Sequence, residues 1–148
     1  MNIYVTFCDY YYSNFLYINL KSLSFHIKIK STFVIYCLDK KLFEEVKKWN
    51  FKKLKIILLR IEDIKDKRIN LMKSNRSYKY FCWGLSPFVI KDSLIRFNKE
   101  VTYLDTDLVF KNDPNLYFEK REKELKNKIL LTPHFYENKD LNSAKHGK

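Results

Sequence analysis

The chain has 148 residues, of which 46% are hydrophobic and 17% aromatic, and its formal net charge is +12. This length and composition predict a folded domain with a substantial core and exclude a disordered chain. No apolar run approaches the roughly 18 residues that a membrane span needs. The basic residues are spread along the chain without any helix-turn-helix, zinc-finger or RNP-like motif, so we expect no nucleic-acid partner. The charge instead favours an anionic membrane surface or a phosphorylated substrate.

The cysteines and the first residues bear on where the protein works. Cys8, Cys37 and Cys82 are scattered and form no CxxC pair, which is typical of free thiols in a reducing compartment. The first residues also lack the basic segment and the cleavage site of a signal peptide. We therefore expect a cytoplasmic protein that can associate peripherally with the inner face of the membrane.

Apolar stretches alternate with helical patterns along the chain. The predicted strands cover residues 2–7, 32–38, 54–59, 100–104 and 128–132, and the predicted helices cover residues 13–26, 39–49 and 87–97. Ser13 or Asn14 is expected to cap the first helix, and Asp39 the second. Residues 62–78 show no clear period and are predicted to be a loop with some helix. This order of elements indicates an α/β fold with a mostly parallel sheet flanked by helices.

The stretch VTYLDTDLVF, residues 101–110, places Asp105 and Asp107 directly after an apolar strand. In an extended strand, residues two apart point to the same side and lie about 6.6 Å apart. Carboxylates about 5 Å apart repel by on the order of 3 kcal/mol at an effective dielectric of about 20. Either the pair merely ends a strand and begins a turn, or it holds a cation at the carboxyl end of the strand, where parallel sheets bind ligands.

Glycine usage favours the cation. Gly84 and Gly147 are the only two glycines, so neither a GxGxxG nor a GxxxxGK[ST] phosphate loop is present. If this α/β domain binds a nucleotide, its phosphate charge must be neutralised by another device. A divalent ion held by carboxylates is such a device.

YLDTDLVFKNDPNLYF (103–118) resembles the DxD segment of nucleotide-diphospho-sugar glycosyltransferases of the GT-A fold. Residues 5–23 resemble their first strand, nucleotide-binding loop and following helix, and residues 81–94 resemble the helix before the DxD strand. The resemblance spans nearly the whole chain. It implies a GT-A (Rossmann-like) sheet, incomplete at the C-terminus, with residues 1–148 forming the nucleotide-sugar-binding part of a single GT-A domain.

The resemblance also implies a set of site residues and partners. Asp105 would contact the ribose or the metal, and Asp107 would ligate Mn²⁺ or Mg²⁺ across the diphosphate. The implied nucleotide-binding residues are Thr6, Asp9, Tyr12 and Asp105. The donor would be a nucleotide-diphosphate sugar, and the acceptor a glycan, a lipid or a protein. No catalytic residue is assigned.

Two further positions are tied to the resemblance. His134, in the stretch LLTPHF (130–135), is placed at the edge of the site. Ser86 is a departure, since relatives usually carry a basic residue near this position. That departure leaves the resemblance without a phosphate-contacting side chain on the helix before the DxD strand.

Two alternatives stay open. Residues 103–109 also match the haloacid-dehalogenase phosphatase signature, a hydrophobic strand followed by DxDx[TV]. In that case Asp105 would be the nucleophile, Asp107 the acid/base and Thr132 part of a second motif. Against it, that signature normally opens its domain, whereas here three predicted strands precede it, and no acidic motif follows. The third interpretation is a non-catalytic glycosyltransferase remnant.

Overall fold

The computed structural model describes residues 2–124 of the chain. The strands are β1 (Ile3–Cys8), β2 (Ser31–Cys37), β3 (Leu54–Arg60) and β4 (Thr102–Tyr103). The helices are α1 (Ser13–His26), α2 (Lys40–Val46), α3 (Lys67–Asn75), α4 (Tyr78–Trp83), α5 (Ser86–Phe97) and α6 (Pro114–Glu124). Short 3-10 helices cover Tyr10–Tyr12 and Ile61–Asp63.

The four strands form one parallel sheet in the order β3-β2-β1-β4. The chain builds outward from β1 through β2 to β3, then returns to the other side of β1 to add β4. The carboxyl ends of β1 and β4 therefore flank the point at which the strand order reverses. In open parallel sheets this is where a crevice for ligands forms. The predicted α/β fold with a parallel sheet flanked by helices is confirmed for these four strands.

The sheet is covered by helices on both faces, as the apolar runs of its central strands require. All seven residues of β2 are buried. On one face, Leu20 of α1 and Leu42 of α2 pack in a cluster with Phe33 of β2. On the other face, Phe81 of α4 and Val89 of α5 pack in a second cluster that includes β1 and β2 residues. The core thus lies in two apolar layers, one on each side of the sheet.

The segment after β4 runs back along α1 toward the amino ends of the strands. The backbone N–H of Phe110 donates to the Ser22 hydroxyl at 3.0 Å. Further along, the backbone N–H of Lys28 donates to the Asp113 carboxylate at 2.9 Å. These two hydrogen bonds to side chains fix the segment, because it does not pair with any of the described strands.

The chain divides into two compact units, Met1–Leu116 and Tyr117–Lys148. The sheet and its covering helices α1 to α5 belong to the first unit. Of the second unit the structure describes Tyr117–Glu124, the later part of α6, in which the rings of Tyr117 and Phe118 lie 6.0 Å apart. Within the described part of the chain, no helix is long and apolar enough to cross a membrane.

Several local predictions need correction. The predicted caps of α1 are wrong, because the 3-10 helix Tyr10–Tyr12 leads directly into α1 and its Asp9 side chain caps that turn instead. Residues 62–78 hold more helix than predicted, since α3 fills most of this stretch. Strand β4 has two residues rather than five, because pairing with β1 involves only Tyr4 and Val5. The predicted strand 128–132 lies outside the described residues.

The predicted cap of α2 is confirmed and gives a test of the fold. One carboxylate oxygen of Asp39 accepts from Leu42 N at 2.8 Å, and the other accepts from Tyr10 N at 2.7 Å. Asp39 therefore caps α2 and also ties it to the loop after β1. Asp39→Ala should lower the free energy of unfolding by about 1–2 kcal/mol in urea denaturation, because both donors lose their acceptor. Asp39→Asn keeps a capping oxygen and should lose less than half as much. Equal stability of wild type and the alanine variant would contradict this role.

Candidate functional site

A pocket of about 710 Å³ lies at the carboxyl edge of the sheet, between the ends of β1 and β4. This volume is within the range of about 300–1,000 Å³ typical of small-molecule sites. The lining residues come from the end of β1 and the loop after it, the residue after β2, helix α4, the start of α5, and the end of β4 with the turn after it. They are Phe7, Cys8, Asp9, Tyr12, Leu38, Tyr78, Lys79, Cys82, Trp83, Ser86, Tyr103, Asp105, Thr106 and Asp107. The pocket thus occupies the crevice that the strand order creates.

Asp9 is the first residue after β1 and is held on both of its carboxylate oxygens. One oxygen accepts from the backbone N–H of Tyr12 at 3.2 Å, which caps the 3-10 turn. The other accepts from the Tyr78 hydroxyl of α4 at 2.7 Å. The carboxylate therefore joins the β1 loop to α4 and presents a fixed negative charge to the pocket.

Asp105 and Asp107 lie in the turn that follows β4. Leu104 N donates to Val5 O at 2.9 Å, which is the last backbone contact between this segment and β1. Thr106 and Asp107 are then in a turn rather than in an extended strand. Strand β4 ends before the two aspartates, so the turn and not strand alternation determines where their side chains lie. The turn nevertheless brings both residues to the wall of the same pocket.

A buried side chain of α1 supports this turn. Asn19 is fully buried, and its Nδ2 donates to the backbone carbonyl of Asp105 at 3.0 Å. The side-chain oxygen of Asn19 has no hydrogen-bond partner among the described residues. A buried amide costs free energy unless it is hydrogen-bonded. The hydrogen bond to the carbonyl of Asp105 offsets part of that cost.

Helix α4 supplies an aromatic wall that the sequence reasoning did not assign to the site. Tyr78 and Trp83 line the pocket, and Trp83 is 66% exposed. Lys79 lies one turn before Trp83, and its ammonium group is 4.6 Å from the centre of the indole ring. Tyr12, also exposed, lies on the wall formed by the β1 loop. The sequence does carry a signal for this wall. Lys79 and Trp83 are four residues apart in an aromatic stretch, a spacing at which side chains meet on a helix, and a short helix leaves such large rings exposed.

The pocket is acidic. Asp9, Asp105 and Asp107 form no ion pair with any described residue, and Lys79 is the only basic residue on the lining. Burial first, and then the carboxylates of Asp105 and Asp107, raise the pKa of the Tyr103 hydroxyl. Burial and then the hydrogen bond to Asp9 likewise raise the pKa of Tyr78. Burial is the larger cause of both pKa shifts, and the neighbouring carboxylates act in the same direction.

The other predicted site residues fall in different places. Tyr12 lines the pocket, as does Ser86, the position of the noted departure. Thr6 is buried within β1, does not line the pocket, and its hydroxyl has no hydrogen-bond partner in the described part of the chain. His134 lies outside the described residues. The structure thus brings Asp9, Tyr12 and the two aspartates of the turn to one pocket, but not Thr6.

The oxygen ligands present fit a divalent cation only in part. Within residues 2–124 no group of three or more His, Cys, Asp or Glu side chains is arranged to hold a metal ion. Mg²⁺ sites often use only one or two carboxylates, with substrate phosphates and water completing the shell. Asp105 and Asp107 therefore fit a cation that arrives with an anionic ligand, rather than a preformed protein cage.

Comparisons with known proteins give no family assignment. The sequence matches no known protein family and no curated protein at a significant level. The assignment of a role therefore rests on the pocket itself.

The electrostatic link between Tyr103 and the aspartates can be measured without a ligand. In the wild type, burial and then the carboxylates of Asp105 and Asp107 should keep the Tyr103 hydroxyl protonated above the usual tyrosine pKa of about 10. Asp105→Asn removes a nearby negative charge and should lower the pKa of Tyr103 toward that value, although burial remains. NMR of protein labelled at tyrosine Cζ, with Tyr103→Phe for assignment, would follow the ionisation.

Asp9→Asn provides the matched control. It should lower the pKa of Tyr78 and leave that of Tyr103 nearly unchanged. Because a raised folded-state pKa means that the unfolded chain ionises first, stability should fall as the pH rises above about 10, and spectra must be recorded below the unfolding pH. An unchanged Tyr103 titration in Asp105→Asn would show that its field does not come from the turn.

Proposed function

We propose that this chain is the donor-binding part of a metal-dependent glycosyltransferase that uses a nucleotide-diphosphate sugar. The observation that carries the proposal is that Asp9, Asp105 and Asp107, which form no ion pair within the described part of the chain, all line one pocket at the reversal of strand order. An acidic pocket repels a diphosphate unless a cation lies between them. The same pocket carries aromatic surface that suits a planar base or the apolar face of a sugar.

Each part of the pocket has a role in this proposal. Asp9, held by Tyr78 and by the Tyr12 backbone, accepts hydrogen bonds from a donor hydroxyl or base edge. Tyr12 packs against the ring system of the nucleoside. Asp105 and Asp107 hold the cation, and Asn19 fixes the backbone of Asp105 from below. Positioning by fixed groups, rather than covalent chemistry, is then the contribution of this part of the protein.

The proposed cation is Mn²⁺ or Mg²⁺, which prefer the oxygen ligands available here. When bound, it would neutralise charge that develops on the departing nucleoside diphosphate, as a Lewis acid. The pocket contributes the acidic turn, an aromatic wall formed by α4, and the single lysine Lys79 for a phosphate oxygen. No nucleophile or catalytic base is assigned among the described residues.

Calorimetry with uridine diphosphate and guanosine diphosphate, each with and without Mn²⁺, tests the proposal. Metal and nucleotide should bind cooperatively, because each supplies charge that the other needs. Asp107→Ala should weaken Mn²⁺-dependent nucleotide binding by more than tenfold, which is about 1.4 kcal/mol. Asp105→Asn should weaken it less, since one neutral oxygen remains. Both variants should keep the free energy of unfolding, or raise it slightly by relieving repulsion.

Glu100→Ala is the control, because Glu100 is exposed just before β4, at the opposite edge of the sheet from the pocket. It removes the same charge and should leave nucleotide binding unchanged. Equal affinity of wild type and Asp107→Ala, with and without Mn²⁺, would reject the cation site. Loss of stability in both aspartate variants without any effect on binding would instead support a purely structural turn.

The phosphatase alternative stays a prediction, and assays of two hydrolysis reactions distinguish it from the proposed glycosyltransferase. Slow hydrolysis of the nucleotide sugar with Mn²⁺, lost in Asp107→Ala, supports a glycosyltransferase site. Hydrolysis of p-nitrophenyl phosphate, lost in Asp105→Asn, supports a phosphatase in which Asp105 is the nucleophile. Nucleotide binding without either activity is the result expected for a non-catalytic remnant.

A further inference from the structure

The amino edge of the sheet, opposite the acidic pocket, carries exposed positive charges. Here the loop of residues 27–30 leads into β2 and the loop of residues 47–53 leads into β3. Lys28, Lys30 and Lys52 are exposed on these loops and form no ion pair within the described part of the chain. We call these three lysines, together with Phe25 and Ile29, the amino-edge surface.

The two loops are held together rather than free. The side chain of Lys53 reaches across to donate to the backbone carbonyl of Ile27 at 2.7 Å. Ser31 N donates to Lys53 O at 3.1 Å, which joins the same loops through their backbones. The lysines of the amino-edge surface therefore project from a joined pair of loops, so little ordering is needed for them to act together.

Two large apolar side chains lie among these charges. Phe25, in the last turn of α1, is 77% exposed, and Ile29, between Lys28 and Lys30, is 58% exposed. Neither belongs to the two core clusters. Exposed apolar side chains flanked by lysines are the composition of a surface that enters the headgroup region of a bilayer.

Acidic groups near this surface do not cancel its charge. Asp113 is buried and accepts from the backbone N–H groups of Lys28 and Asn115, so it offsets only one of the three lysine charges. Glu100 is exposed near the start of β4 and has Lys99 beside it. The surface therefore keeps an excess of positive charge.

We propose that the amino-edge surface docks the protein on an anionic lipid bilayer. The three lysines provide attraction to the negative surface potential, and Phe25 and Ile29 insert at the headgroup level. Lipid is favoured over nucleic acid because an exposed aliphatic side chain gains little from bases or phosphates. The basic residues on these loops are also all lysines, which act as point charges and do not provide the bidentate contacts of arginine.

Docking in this way orients the pocket. Because the lysines lie at the amino ends of the parallel strands and the carboxylates at their carboxyl ends, the pocket opens away from the bilayer. The acidic pocket then lies away from the anionic lipid that the amino-edge surface attracts, which avoids repulsion between them. This inference is independent of the proposed donor, since it uses none of the pocket residues.

Vesicle sedimentation of the full chain tests the proposal. The probes are vesicles of phosphatidylcholine alone and vesicles with about one-third phosphatidylglycerol, a typical anionic lipid. Binding should require the anionic lipid and fall steeply with salt. The triple variant Lys28→Gln, Lys30→Gln, Lys52→Gln should partition roughly 100-fold less, at about fivefold for each lysine. The double variant Phe25→Ser, Ile29→Ser should lose roughly tenfold while keeping the salt dependence.

The matched control removes the same charge from three exposed lysines elsewhere, Lys40→Gln, Lys73→Gln and Lys91→Gln. It should lose far less binding than the amino-edge triple. Equal loss in both triples would overturn the proposal, because binding would then follow net charge alone. Absence of vesicle binding, or binding of a polynucleotide that depends on the amino-edge lysines but not on Phe25 and Ile29, would overturn it as well. Calorimetry with nucleotide on the same variants should be unchanged, which separates this test from that of the pocket.

Discussion

The parallel pairing of β1 with both β2 and β4 is the constraint on which the rest of the molecule depends. Six residues of β1 pair in register with β2, from Ile3 opposite Thr32 to Cys8 opposite Cys37. On its other side β1 pairs with β4 through only Tyr4 and Val5. The long pairing with β2 fixes the sheet. The short pairing with β4 ends at Tyr103, so the chain leaves the sheet before Asp105. The turn with Asp105 and Asp107 can therefore bend over the end of β1 toward Asp9.

The same architecture separates charge across the domain. In a βα unit the helix runs back against the strands, so helix N-termini gather at the carboxyl edge of a parallel sheet and helix C-termini at the amino edge. Carboxylates are favoured near helix N-termini and cations near C-termini. Asp39 at the start of α2 and Lys28 beyond the end of α1 follow this rule. Asp105 and Asp107 go beyond it, because they follow a strand and cap no described helix. Helix capping therefore does not explain their presence in the pocket.

Helices α1 and α4 hold the acidic residues of the pocket through hydrogen bonds. Asn19 and Ser22, one turn apart on α1, hold the backbone of the segment that follows β4 at Asp105 and Phe110. On the opposite wall, the Tyr78 hydroxyl fixes Asp9. These polar contacts link the acidic groups to helices that are themselves packed on the sheet. These contacts can hold Asp9 and the backbone of the turn in place before a ligand arrives, which reduces the ordering that binding requires.

The sequence by itself determined the class of fold and most of the elements. The apolar runs of β1 to β3 and the capping residue Asp39 are local signals that depend on the period of side chains and on backbone hydrogen bonding. It also placed Asp105 and Asp107 at the carboxyl edge of the sheet, and the family resemblance added Asp9 and Tyr12, which line the same pocket, and Thr6, which does not. Strand order, the early end of β4 and the approach of α4 with Tyr78 and Trp83 were decided only by the tertiary structure. These features depend on pairing and packing between residues far apart in the chain, such as Asp9 with Tyr78 and Asn19 with Asp105, and no local pattern encodes those contacts.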